Sequence, residues 1–151
     1  MIALLQRVAE ARVEVGAPGE RRVAGAIEGG ILLFVCAEPD DDAPVADALV
    51  DKVLRMRIFA DAAGKMNLDL AAVAGGLLVV SQFTLAADTA SGNRPGFSRA
   101  ARPEHGRAIY ERVVATAAAR HPRVASGVFG AAMQVYLVND GPVTIPLVLR
   151  G

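Results

Sequence analysis

Short apolar runs separated by glycine and proline clusters set the rhythm of this chain. Ile2 to Val8 is apolar and rich in strand formers. Ala11 to Val15 alternates, with Val13 and Val15 on one face and Arg12 and Glu14 on the other, the period of a half-buried strand. Gly16-Ala17-Pro18-Gly19 is a turn cluster, so the N-terminal region is predicted to be a hairpin. Gly29-Gly30 then opens the run Ile31 to Ala37, a buried strand. Val45, Leu49, Val53 and Met56 recur at helical spacing. Asp42 stands where a helix cap belongs, with Pro44 in the first turn. Ile58-Phe59 closes that segment, and Asp61 to Lys65 is a turn.

Gly75-Gly76 precedes the strand Leu77 to Val80, which runs straight into Ser81-Gln82-Phe83-Thr84. Ala87 to Ala101 carries Gly92, Asn93, Pro95 and Gly96 and reads as a long loop, a feature often functional in a compact domain. Pro103 starts a second helix with Ile109, Val113 and Ala117 as its apolar stripe; His121-Pro122 ends it. Val124 to Phe129, Ala132 to Val138 and Val143 to Leu149 complete the strands. Pro146 assigns the last of these to an edge or a bulge. No repeat, linker or low-complexity tract interrupts residues 1–151. The expected fold is α+β, one domain of mixed and antiparallel sheet packed by two main helices.

Composition narrows the function more by exclusion than by indication. With 53% hydrophobic residues in 151, the chain can bury a sizeable core and is not disordered. Sixteen basic residues balance sixteen acidic ones, so a nucleic-acid partner requires local clustering of charge. Lys52 and Lys65 are the only lysines, and the remaining basic residues are arginine. Cys36 is the single cysteine and lies in an apolar run; it reads as a buried small hydrophobe, and no intrachain disulfide is possible. The first residues lack the pattern of a leader or membrane span, so a cytoplasmic protein with no membrane partner is expected. His105 and His121 sit at the two ends of a helix without ligands at metal spacing. They read as surface residues, and the run Asp40-Asp41-Asp42 reads as a solvated helix start. No metal or cofactor is expected. No phosphate-binding glycine loop follows a strand, and no elbow surrounds a serine.

Two segments remain as candidate chemistry. Ser81-Gln82-Phe83-Thr84 leaves a buried strand. Its hydroxyls can serve the local backbone, or its hydroxyls, amide and N–H groups can line a pocket and stabilise an oxyanion. Gly141-Pro142, after Asn139-Asp140, reads locally as a hairpin turn between two strands. Only about 5–6% of X-Pro bonds in folded proteins are cis, so local reasoning assigns it trans.

Both segments, in register with the rest of the chain, resemble the D-aminoacyl-tRNA deacylases, the D-tyrosyl-tRNA deacylase family. The resemblance is carried by Leu78 through Asp88 and by Met133-Gln134-Val135 with Leu137 through Thr144. Gln6-Arg7-Val8, Arg57-Ile58-Phe59, Gly64 through Leu68, Arg94-Pro95 and Phe97-Ser98 support it. It implies a homodimer that acts on the acceptor end of aminoacyl-tRNA and has no DNA partner. It implies ester hydrolysis without a covalent intermediate, assisted by a ribose hydroxyl of the RNA. Ser81, Gln82, Phe83 and Thr84 would form the catalytic segment, with the Phe83 N–H as oxyanion donor, Gln82 holding the adenosine and Thr84 positioning. Gly141 and Pro142 would reach in trans into the partner's pocket across a cis bond and exclude L side chains. Arg7, Met133, Asn139, Val143 and Thr144 would support them. Glycyl-tRNA, with no side chain to reject, would also be cleaved. Phe83 matches the D-specific form of the motif, whereas Ile145-Pro146 departs from the family, in which aromatic residues commonly follow Val-Thr. The alternatives are a relaxed-chirality relative editing mischarged L-aminoacyl-tRNA and a non-catalytic, dimeric RNA-binding module.

Overall fold

The N-terminal alternation continues through what looks like a break in the sequence. In the computed structural model, which describes Met1–Gly151, Ile2–Val15 is a single strand, β1. The chain turns after Val15 and returns antiparallel as β2, Arg22–Ile27. The two expected runs are one strand because irregularities between Gln6 and Glu10 absorb a change of phase. Ala3 and Leu5 therefore join one core cluster, while Ala11, Val13 and Val15 join another. A residue added to a strand sends every later side chain to the other face.

Strand β3, Gly30–Cys36, lies antiparallel to the first half of β1. The crossover back to the sheet carries helix α1, Ala43–Leu54, and a small hairpin of β4, Phe59–Ala60, and β5, Met66–Leu68. Strand β6, Gly76–Ser81, then adds parallel to β3. After a short 3₁₀ helix at Phe83–Ala86 and helix α2 at Pro103–Arg120, β7, Val124–Ser126, adds parallel to β6. Strand β8, Met133–Val148, runs antiparallel along the free side of β1 and pairs with nothing else, so Pro146 does occupy an edge strand. The sheet curls until β2 meets β7. A Cβ on Gly25 would fall 2.6 Å from the Ser126 carbonyl oxygen, so only glycine permits this approach. The architecture is the expected α+β arrangement, a mixed sheet curled toward a barrel with two helices against it.

Asp42 caps α1 by accepting the Val45 N–H at 3.0 Å, and Pro44 sits in the first turn. Val45, Ala46, Leu49, Val50 and Val53 face inward. From α2, Ile109, Tyr110, Val113 and Ala117 meet them over Leu5, Ile31, Leu33, Leu77 and Val79 of the sheet. Each fully buried leucine here stabilises the fold by about 1.5–3 kcal/mol. A smaller cluster of Val8, Ala11, Val13, Val15, Leu32, Leu78 and Val80 fills the interior of the curl. No helix is long and apolar enough to cross a membrane.

Four local expectations are corrected. Asp41 is not solvated: it is 7% exposed and accepts the Met1 amino group and the Glu38 N–H, both at 2.7 Å. His121 is buried, its Nε2 2.8 Å from the Gly75 carbonyl, and His105 is half-buried, 2.8 Å from the Asp41 carbonyl. The seventh strand ends at Ser126 rather than Phe129, because the Gly127 carbonyl turns toward the Tyr110 hydroxyl and the chain reverses between Val128 and Ala131. The last two expected strands are one, because β8 passes through Gly141-Pro142 without reversing.

Helices α1 and α2 are joined at the surface by Asp47. Its carboxylate accepts from Arg112 Nε at 2.8 Å and Nη2 at 2.5 Å, and from Thr116 Oγ1 at 2.7 Å. The Arg112 guanidinium, then the Thr116 hydroxyl, hold the Asp47 carboxyl well below the usual carboxylate range. A folded-state value below the unfolded one means stabilisation that is complete above the ordinary carboxylate range. It is lost as pH falls toward the depressed value. The wild type is therefore expected to melt higher than Asp47→Asn at neutral pH, with the gap closing in acid below the ordinary carboxylate value. A gap independent of pH in parallel thermal melts would reject this assignment.

Candidate active site

The parallel strands β3 and β6 end side by side, with Val35 opposite Ser81. Gln82 donates its N–H to the Val35 carbonyl at 2.8 Å, and the chain then tightens into the 3₁₀ helix. The first i→i+3 bond runs from the Leu85 N–H to the Gln82 carbonyl. The N–H groups of Phe83 and Thr84 precede it, in the part of a helix whose donors have no intrahelical acceptor. Phe83 itself lines a cleft of about 520 Å³, and Thr84 follows it in the chain.

Ser81, Gln82 and Phe83 form one wall of that cleft, Phe97, Ala100, Ala101 and Pro103 a second, and Phe129, Gly130, Ala131 and Met133 a third. The second wall belongs to the long loop, which is pinned rather than free. Asp88 and Gly96 exchange backbone hydrogen bonds at 2.7 and 2.9 Å, and the Ala101 N–H reaches the Ala37 carbonyl at 2.8 Å. Phe83 is 57% exposed and meets Phe97 edge-on, centroids 5.0 Å apart. Below the third wall the Tyr110 hydroxyl lies 3.0 Å from the Val79 carbonyl and 3.2 Å from that of Gly127. Burial raises its pKa, so the phenol stays protonated and ties α2 to the floor.

The hydroxyls here have no activating base. Thr84 Oγ1 accepts from Gln82 Nε2 at 2.5 Å, and both imidazoles are engaged elsewhere. A threonine or serine nucleophile needs such a partner. Cys36 is buried, its sulfur 3.5 Å from the Phe83 carbonyl, and burial pushes its thiol pKa up. It is therefore a packed thiol, as its apolar run predicts. No group of three or more His, Cys, Asp or Glu side chains is arranged to hold a metal ion. The cleft combines apolar walls with one side-chain amide and the opening turn of a 3₁₀ helix, and free N–H groups in such a turn are suited to stabilising developing negative charge.

Gly141 and Pro142 do not line this cleft. They form a second cluster along β8. Thr144 pairs with Gln6 and Asn139 with Val8, so residues 140–143 bulge opposite the single residue Arg7. Val143 is buried beneath the bulge, while Asp140, Gly141 and Pro142 project into solvent. The Gly141-Pro142 bond is cis, as the family resemblance implies and against the local expectation. Side chains fasten the bulge at both ends. Arg7 donates to the Asp140 carbonyl at 2.8 Å and to the Ile58 carbonyl at 2.6 Å. Asn139 accepts the Val143 N–H at 2.7 Å and donates to Thr144 Oγ1 at 3.0 Å. Gln6 adds a bond to Thr144 Oγ1 at 3.1 Å.

Of the predicted site residues, Ser81, Gln82, Phe83 and Met133 thus meet around one cleft, with Thr84 beside it. Arg7, Asn139, Gly141, Pro142, Val143 and Thr144 meet around the bulge. The roles of Gln6 and the Ile58 carbonyl, and the cleft walls from Phe97 to Pro103 and from Phe129 to Ala131, were not predicted residue by residue. Their sequence signal is the set of stretches supporting the resemblance, which hold Gln6, Ile58 and Phe97, together with the turn glycines. At the departure Ile145-Pro146, Ile145 packs against the helix-side core and Pro146 is exposed. A further groove of about 510 Å³ beside Arg12 and Tyr136 holds none of the predicted site residues.

The comparisons agree across the chain. A family model described as D-Tyr-tRNA(Tyr) deacylase matches residues 4–148. A D-aminoacyl-tRNA deacylase of Methylibium petroleiphilum is 62% identical over 149 residues, 99% of this chain and 95% of that protein. The one from Paracidovorax citrulli is 58% identical, covering 97% and 92%. Among solved structures, one described as a c-Myc DNA unwinding element binding protein superposes with a TM-score of 0.91 at 33% identity, over 100% of both chains. Another, a probable eukaryotic D-amino acid tRNA deacylase, shares the fold with a TM-score of 0.85 at 15% identity, over 97% of each. With its family model spanning both the cleft and the bulge, the chain belongs to the D-Tyr-tRNA(Tyr) deacylase family.

Proposed function

We propose that this protein is a cytoplasmic, homodimeric esterase, one deacylase domain over residues 1–151, that releases D-amino acids and glycine from tRNA. The observation that carries the reading is a cleft lined by Phe83, which opens a 3₁₀ helix ahead of its first internal hydrogen bond, with no nucleophile–base pair beside it. Such a site positions an ester and stabilises its oxyanion. Water attacks the ester carbonyl, and the adjacent free ribose hydroxyl of the RNA assists it. Phe83 supplies the N–H donor, Gln82 holds the terminal adenosine and Ser81 completes the wall. Thr84 positions Gln82 through their hydrogen bond, so Thr84→Ala is expected to keep kcat within about tenfold of wild type. Loss of deacylation with folding and tRNA binding intact would point instead to a threonine nucleophile.

Chirality is read by Gly141 and Pro142 of the second subunit, whose carbonyl oxygens accept from the substrate's α-ammonium group. An L side chain meets backbone there, and steric rejection can discriminate more strongly than added attraction. Three features support a second copy. The bulge and the cleft are separate in one chain. The outer edge of β8 has no partner strand, and such edges are normally covered. Beside the bulge, Ile2, Leu4 and Phe34 are half-buried and Pro146 and Val148 exposed, in directly opposed ladder positions.

The test is an assay of the purified protein with D-Tyr-tRNA, L-Tyr-tRNA and Gly-tRNA, with the solution mass measured alongside. Cleavage of the D- and glycyl substrates by a dimer is expected. Equal cleavage of D- and L-Tyr-tRNA would make the protein a relaxed-chirality editor, and binding without cleavage would make it an RNA-binding module.

A further inference from the structure

The chain carries no net charge, yet its charge is unevenly placed around the cleft. The fifteen residues Thr89 to Pro103 contain three arginines and no carboxylate. Phe97, Ala100, Ala101 and Pro103 of this stretch are cleft wall; Arg102 lies between two of these residues, Arg99 precedes Ala100, and Arg94 comes three residues before Phe97. Arg94 and Arg102 are exposed and make no side-chain hydrogen bond or ion pair in the structure. Arg99 is 55% exposed and only reaches Glu38 at 3.5 Å, a carboxylate that already holds the Met1 amino group. Across the mouth, Arg107 lies over the Phe129 ring at 4.9 Å and contacts Glu111 at 3.7 Å. Lys52 and Arg55, unpaired at the end of α1, line a different groove.

We infer that the Thr89–Pro103 rim is the surface that grips the phosphates of the single-stranded 3′ end of tRNA, chiefly through Arg94 and Arg102. The inference rests on the proposed deacylase reading. If the terminal ribose ester enters the cleft, the phosphates 5′ of it must cross the rim. Two unpaired guanidiniums on a pinned loop meet them there without first breaking a protein salt bridge. Guanidinium is the side chain best matched to phosphate geometry. The contacts add affinity uniformly to ground and transition states, so they act on KM rather than kcat.

The test compares wild type, Arg94→Ala/Arg102→Ala and the remote pair Lys52→Ala/Arg55→Ala. Each acts on D-Tyr-tRNA and on the phosphate-free ester D-tyrosyl-adenosine, over a range of salt concentrations. For the rim variant, KM for D-Tyr-tRNA is expected to rise on the order of tenfold at low salt with kcat held. Its plot of log kcat/KM against log salt should be shallower than wild type by about 1.4, for two single-strand phosphate contacts. The advantage of tRNA over the adenosine ester should shrink by the same factor. An unchanged KM and slope would overturn the inference, as would an equal loss on the adenosine ester or an equal flattening in the remote pair. If the wild type cleaves neither substrate, the deacylase reading itself fails, an outcome separate from these.

Discussion

Gly141→Ala is expected to lower kcat/KM for D-Tyr-tRNA by about a hundredfold while leaving the protein folded. Two independent features forbid a side chain at this position. The residue has φ +151°, and a Cβ would lie 2.7 Å from Val143 Cγ2, 2.8 Å from the Val143 nitrogen and 3.3 Å from Arg7 Nη2. Backbone strain of this kind costs about 1–3 kcal/mol, less than the stability of a typical domain, about 5–15 kcal/mol. The fold therefore survives, and the strain is relieved by moving the bulge. But Val143 is held by Asn139 and the Asp140 carbonyl by Arg7, so the exposed tip between them must shift. A shift of about 1 Å in a positioning element is enough for the predicted loss. Activity within threefold of wild type would remove Gly141 from the site. The same variant tests the subunit assignment. Gly141→Ala subunits allowed to exchange with Phe83→Pro subunits should regain activity, because a mixed dimer has one site with an intact cleft and an intact bulge. If both belonged to one subunit, every site in the mixture would carry a defect and activity would stay low.

The elements were legible wherever one period persists. Helix α1 could be read to its cap because Val45, Leu49 and Val53 hold one stripe and Asp42 has a single neighbour to serve. The failures lie where the period shifts. Buried residues of β1 run Ala3, Leu5, then Val8, then Ala11, Val13, Val15. That change of parity looks like the end of one strand and the start of another. In the structure it is a bulge, matched across the ladder by the larger bulge at Gly141-Pro142. A turn-like sequence there does not reverse the chain, because β1 continues alongside and supplies Arg7 to hold it. Asp41 and His121 failed for a related reason. Their partners, the Met1 amino group and the Gly75 carbonyl, are 40 and 46 residues away, and no local pattern announces them. The cleft was visible only through family resemblance. Its walls come from three stretches far apart in the chain, and several of their residues are small ones that any turn would accept.

Comparing Phe83→Pro with Phe83→Ala should separate the backbone of that residue from its ring. Both variants remove the phenyl group and its edge contact with Phe97; only proline also removes the N–H. The site is suited to this exchange. Position 83 opens the 3₁₀ helix, ahead of its first internal hydrogen bond, and proline is tolerated at a first helical position. Gln82, with φ −146° and ψ 79°, is outside the helical region that a following proline disfavours. The two variants should therefore melt at similar temperatures. Phe83→Ala is expected to keep kcat within about tenfold of wild type, since an exposed ring contributes mainly to binding. Phe83→Pro should lose a further 10²–10³ in kcat, roughly the effect of deleting one oxyanion donor. Equal kcat values in the two variants would show that this N–H does not meet the developing charge, and the Thr84 N–H beside it would become the candidate donor. Either result bears on why the segment lacks a nucleophile. When the backbone supplies the stabilising group and an RNA hydroxyl assists the attacking water, side-chain identity at these positions is free to serve placement alone.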